Sequence, residues 1–197
     1  MEIIAPHRPK KRRRLSPEDR RDQLLNAAIR AYAEQGVERA GHGDIAKLTN
    51  ASTATVFNYF PTREALTDAV LKSASERLFA AIDTPILEAE RKPSAVLTEL
   101  LAGLDQLIER EPEIIKVLLN WSVSFGPSVR PQYINFLDQV LTFLHVAIGG
   151  NMNSQDKERA EARLIYAAGI SYATMKLDKT SAAAIDEFID RLIGMFE

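Results

Sequence analysis

Apolar residues recur along this chain at three- and four-residue intervals, interrupted by proline, glycine, asparagine and hydroxyl residues. That period lays one side of a helix against a core, whereas a half-buried strand alternates every second residue. No segment alternates in that way, so the pattern predicts an all-α chain of about nine helices. Ser16 offers a capping hydroxyl, Pro17 suits the first helical position, and Glu18 and Asp19 favour the helix N-terminus. The first helix is predicted from there to about Gln35, with Leu24, Leu25, Ala28, Ile29 and Tyr32 on its apolar side and Gly36 as its stop. Short helices are predicted over 44–50 and 53–60, the second ended by Pro61. Thr62 can cap a longer helix to about Ile82, and Pro85 predicts a break or kink near 83–86. Later helices are expected over about 94–110, 112–125, 129–148, 154–177 and 181–196. Ser94, Ser154 and Thr180 or Ser181 are their candidate caps, and Gly149-Gly150-Asn151 is a loop.

The two short helices carry the most informative pattern. Ile45, Leu48, Val56 and Phe57 are expected to bury against the first helix, and Asn50 tolerates the left-handed turn between the pair. Thr53, Thr55, Asn58 and Tyr59 then remain on or near the outer surface. Asparagine can bond adenine through two hydrogen bonds, threonine can touch a thymine methyl or a phosphate, and tyrosine can reach a phosphate. Two short helices joined by a tight turn match the layout that reads base edges in the major groove. Periodicity alone also fits an αα corner whose polar face is merely solvated.

Charge moves the balance toward DNA. The net charge is −2, but residues 1–63 carry a balance of +5 and residues 64–197 one of −7. The run Lys10-Lys11-Arg12-Arg13-Arg14 stands immediately before the helix-turn-helix candidate. Arginines on such an arm can enter an A·T-rich minor groove beside the major-groove site. The expected organisation is a flexible basic arm over 1–15, a helix-turn-helix unit over 16–63 and a helical regulatory and dimerisation unit over 64–197. The 46% hydrophobic content is ordinary for a globular protein. No apolar run approaches the roughly 18 residues of a membrane span, and the absence of cysteine excludes thiolate metal sites. His7, His42 and His145 lack spacing suited to a metal, and no nucleophile motif or phosphate loop occurs. No enzyme, cofactor or metal is therefore expected. A helical interaction module, its basic arm binding anionic surfaces without reading sequence, is the alternative.

Gly36 through Leu71 resembles the N-terminal domain of TetR-family transcriptional regulators. The carrying residues are Asp44-Ile45-Ala46, Thr55-Val56-Phe57-Asn58-Tyr59-Phe60 and Thr62-Arg63-Glu64-Ala65-Leu66. With Gly41-His42-Gly43 and Pro61 added, the stretch is similar to the HapR/LuxR/SmcR group of quorum-sensing master regulators, whose basic arm ends in a sequence like Leu15-Ser16-Pro17. Lys116-Val117, Trp121-Ser122 and Pro131 resemble that group's regulatory domain more weakly. The resemblance implies a cytoplasmic, nucleoid-associated homodimer on a roughly palindromic double-stranded operator. It places Thr53, Thr55, Asn58 and Tyr59 on the recognition helix, Thr62 and Arg63 at phosphates, and His42 and Gly43 at the DNA-proximal start of the preceding helix. Gly43 offers no side chain, which leaves specificity to other residues, the arm first among them. Ala160, Leu164, Ala167, Ala168, Ser171, Ile185, Phe188, Ile189 and Leu192 are expected to form a four-helix interface with a second subunit, or else an intramolecular core. Phe79, Ile82, Leu104, Trp121, Phe125, Phe136 and Met175 are candidate walls for a small hydrophobic effector, or else plain core.

Overall fold

The computed structural model describes residues 15–88, 92–150 and 159–196. Among them are nine helices: α1 Pro17–Gln35, α2 His42–Thr49, α3 Thr53–Tyr59, α4 Arg63–Glu88, α5 Pro93–Arg110, α6 Pro112–Ser122, α7 Arg130–Ala147, α8 Ala160–Leu177 and α9 Ala182–Gly194. The arm residues Lys10 to Arg14 lie outside the described residues, as does Ser154.

Local chemistry sets the helix ends in the N-terminal third. The Asp19 amide donates to Ser16 Oγ at 3.0 Å, and Gly36, at φ +87°, returns its N–H to the Tyr32 carbonyl. The α2 helix starts two residues earlier than its pattern predicts, because the Asp44 carboxylate accepts from the Gly41 amide at 3.1 Å and so caps from the third helical position. Asn50 takes the left-handed conformation, with φ 51° and ψ 41°. Ser52 Oγ accepts from the Thr55 amide, and Thr62 Oγ1 accepts from the Ala65 amide, both at 3.0 Å. Each cap satisfies one of the amide donors a helix start leaves open.

Helices α1, α2 and α3 form a small bundle seated on α4 and α6, while α5, α7 and α8 pack with α4 and α6 into the larger body and α9 lies on α5 and α8. One continuous set of buried side chains runs through both parts. Helix α4 belongs to each: Tyr32 Oη meets Thr67 Oγ1 at 2.9 Å near its start, and Ile82 and Ile86 are buried near its end. Polar contacts reinforce the junction. The Asn120 amide donates to the carbonyls of Tyr32 and Ala33 at the end of α1. Glu38 Oε1 accepts from the Gly126 amide at 3.0 Å, and Arg77 joins Asn26 to Glu111.

The break expected at Pro85 does not form, and α4 runs through it to Glu88. Proline has no N–H for the carbonyl four residues back, which here belongs to Ala81. Helix α5 passes over that carbonyl at Gly103, where a Cβ would sit only 2.7 Å from the Ala81 oxygen and 3.1 Å from Ile82 Cγ2. Tertiary packing therefore covers the carbonyl that the proline leaves open. At its other end, α6 stops at Ser122 and not near 125, and 123–129 is a loop that Trp121 holds by donating its Nε1–H to the Val129 carbonyl at 3.2 Å. The Gly103→Ala protein should lose about 1–3 kcal/mol of stability, because the added methyl meets backbone and not a movable side chain. Chemical denaturation of the two proteins measures this, and equal midpoints and slopes would refute the close approach.

Candidate nucleic-acid interface

The candidate surface is built on α3, a helix of only seven residues. Val56 is fully buried and Phe60, at the helix end, is 2% exposed; these two hold α3 against its neighbours. Thr53 and Asn58 are exposed, while Thr55 and Tyr59 are half-buried. The Thr55 hydroxyl is already paired with Ser52 Oγ at 2.8 Å, and Tyr59 packs part of its ring on the core. Exposed Asn58 and Thr53 are thus the freest polar groups of the set.

At the start of α2 the two candidates divide. Gly43 is exposed, and nothing lies within 4 Å of where its Cβ would be. His42 is only 8% exposed, and its Nε2 lies 2.7 Å from the Phe60 carbonyl oxygen. A carbonyl can only accept, so Nε2 carries the proton and donates. The imidazole lies flat under the Phe57 ring, centroids 3.9 Å apart and planes 10° from parallel.

The expectation that Leu48 and Phe57 bury against α1 is overturned: they are 48% and 45% exposed. A helix this short has an inward stripe one residue wide at each turn, and Val56 and Phe60 fill it four positions apart. Phe57, one step round from Val56, is turned outward beside Asn58. That spacing is visible in the sequence, but hydrophobicity alone assigns Phe57 to the core.

Thr62 and Arg63 sit at the start of α4. The Thr62 hydroxyl caps the helix and, with the Glu64 backbone amide, holds the Glu64 carboxyl below the usual carboxylate range, the amide being the larger cause. The Arg63 guanidinium donates to the Glu38 carbonyl in the α1–α2 loop. It has further N–H groups for an anion. Burial raises the Tyr32 phenol above its ordinary value, in keeping with its place as a pin between α1 and α4.

The regulatory candidates divide as well. Ile82, Leu104 and Phe136 line a cavity of about 50 Å³ whose other walls include Leu100, Leu144 and Ala173. Phe79, Trp121 and Phe136 line a separate open groove of about 870 Å³ between α4 and α7. Phe136 borders both and stacks on Trp121 at 5.0 Å. Phe125 lies outside the two, 74% exposed in the α6–α7 loop, with the Arg130 guanidinium 4.3 Å above its ring. Met175 is half-buried and lines neither. On α8, Ala160, Leu164, Ala167 and Ser171 form one exposed stripe at helical spacing. Ala168 and Ile185 turn inward, and Phe188, Ile189 and Leu192 are half-buried. Among the described residues no acidic or histidine cluster is suited to a metal, and no helix is long and apolar enough to cross a membrane.

Comparison with known proteins decides what this arrangement belongs to. Residues 24–70 match the family described as bacterial regulatory proteins, tetR family. The chain is 32% identical over 167 residues to the HTH-type transcriptional regulator LuxR of Vibrio harveyi, covering 82% of this chain and 80% of that one. The chain belongs to the TetR family. It is also 28% identical over 121 residues to the HTH-type transcriptional regulator BetI of Burkholderia ambifaria, covering 60% of this chain and 62% of that one. The crystal structure of a TetR-like transcriptional regulator from Rhodococcus sp. RHA1 superposes with a TM-score of 0.72 at 17% identity, over 91% of this chain and 94% of that one. That likeness shows the fold. This TetR-family protein is a DNA-binding transcriptional regulator and not an enzyme.

Proposed function

We propose that this regulator works as a homodimer on a roughly palindromic operator, with one α3 helix in the major groove of each half-site. The carrying observation is the exposure of Asn58 and Thr53 on a short helix whose other side is locked down by Val56. Asn58 reads a base, Thr53, Thr55 and Tyr59 support it at bases and phosphates, and Thr62 and Arg63 clamp the backbone. Gly43 lets α2 approach closely. Lys10, Lys11, Arg12, Arg13 and Arg14 reach the neighbouring minor groove. The stripe Ala160, Leu164, Ala167 and Ser171, with Phe188, Ile189 and Leu192, faces the second subunit; Ala168 and Ile185 back it from within. This action belongs in the cytoplasm, at the nucleoid, and the resemblance to the HapR/LuxR/SmcR group supports a place in quorum sensing.

A small hydrophobic effector fits the apolar lining around Ile82, Leu104 and Phe136 and acts by favouring one spacing of the two α3 helices over another. Ligand sites usually occupy about 300–1,000 Å³, so the cavity must open, and Phe136 is the side chain between it and the larger groove. The small volume also favours a second reading, in which the regulator has no effector and its abundance sets its action.

Three outcomes are expected. The Asn58→Ala protein should lose roughly 1–3 kcal/mol on the mapped operator and relax its base preference, measured by titration against variant sites; unchanged preference removes Asn58 from readout. Deleting residues 1–14 should lower the slope of log affinity against log salt by several units, since each neutralised phosphate contributes about 0.9. An identical slope makes the arm a bystander. Leu164→Glu places a charge in the apolar stripe and should give a monomer by sedimentation at micromolar concentration; a persisting dimer moves the interface elsewhere.

A further inference from the structure

One side chain on the reading surface has no partner in the polar contacts above. Phe57 presents 45% of its surface outward from the middle of α3, next to Asn58. Its inner face is covered by His42, stacked at 3.9 Å and 10°. The imidazole is itself fixed, because its Nε2–H is held at 2.7 Å by the carbonyl of Phe60, the residue that caps α3. The ring of Phe57 is therefore supported from below and aimed outward. Gly43, beside His42, has no side chain that could shield it, and nothing lies within 4 Å of where its Cβ would be.

Phenylalanine carries no hydrogen-bonding group. It cannot read the donors and acceptors along base edges, and a phosphate offers it nothing. The major groove displays one apolar feature that separates base pairs, the C5-methyl group of thymine. We infer that Phe57 is a specificity-determining residue that packs on a thymine methyl in each half-site, and that His42 is its positioning residue. This rests on α3 being the helix that enters the groove. It assigns His42 an indirect part: its polar atom is engaged with Phe60, and it acts through the ring above it.

Replacing thymine by deoxyuridine removes that methyl and leaves every hydrogen bond of the base pair intact. Deoxyuridine is substituted at one thymine position of the selected operator at a time, symmetrically in both half-sites, and affinity of the full-length protein is measured. One position should weaken binding by about fourfold per half-site, the factor that corresponds to roughly 0.8 kcal/mol for one buried carbon group. With Phe57→Ala that penalty should vanish, and with Phe57→Leu it should persist in part. With Asn58→Ala it should remain, which separates this contact from amide readout. With His42→Ala the penalty should shrink while the salt slope stays unchanged, a split that general loosening of the fold would not produce. The wild-type scan needs no variant: if no position is sensitive to the methyl, the inference is overturned. A sensitive position that keeps its full penalty in both Phe57 variants overturns it equally. Failure to select any specific operator would instead strike the reading of α3 itself, and this inference with it.

Discussion

A helix of seven residues cannot hold its own shape in water, because nucleating the first turn fixes several residues for a single hydrogen bond. The proposed reading surface therefore depends on packing α3 against its neighbours. Val56, with no exposed surface, anchors the middle of the helix, and Phe60 closes its end. Burying a side chain of that size contributes roughly 1.5–3 kcal/mol. The Ser52 cap, the left-handed Asn50 and the hydrogen bond from His42 to the Phe60 carbonyl then fix its orientation. Every outward side chain of α3 takes its direction from these few contacts.

The same dependence continues into the body. Helix α1 supplies the floor under α2, and its own end is held by Asn120 of α6 through two carbonyls. Helix α4 starts beside the reading surface and finishes among the body helices, so a displacement of α4 or α6 must carry the bundle with it or break buried packing. Glu38 adds a link at the surface by accepting from Gly126 while its own carbonyl receives Arg63. In a homodimer, this continuity would let a change in the body alter the distance between two reading helices.

Much of this was legible along the chain. Caps at Ser16 and Thr62, the stop at Gly36 and the turn at Asn50 are written in short-range chemistry, and the helices begin and end close to them. Less legible was the direction of particular side chains. Leu48 and Phe57 read as core by hydrophobicity but lie on the surface, because α2 and α3 are too short to bury more than one narrow stripe. Phe125 reads as a wall of a pocket but sits in a loop, since α6 ends three residues before it.

Sequence by itself determined the helical period, the punctuation and the outward placement of Asn58, because each follows from residues within about a turn of one another, and the charge contrast between the two parts, because it is a sum over residue types. Tertiary structure decided the rest. It seated Gly103 of α5 over the Ala81 carbonyl that Pro85 leaves without its N–H, where α4 continues as helix to Glu88. It turned His42 from a surface candidate into a buried support, since the Phe60 carbonyl that receives its proton lies 18 residues away. It also reduced the apolar interior to a cavity of about 50 Å³, a volume that depends on how five helices close around it. Contacts between residues distant along the chain have no local signature, and these were the contacts that set the final geometry.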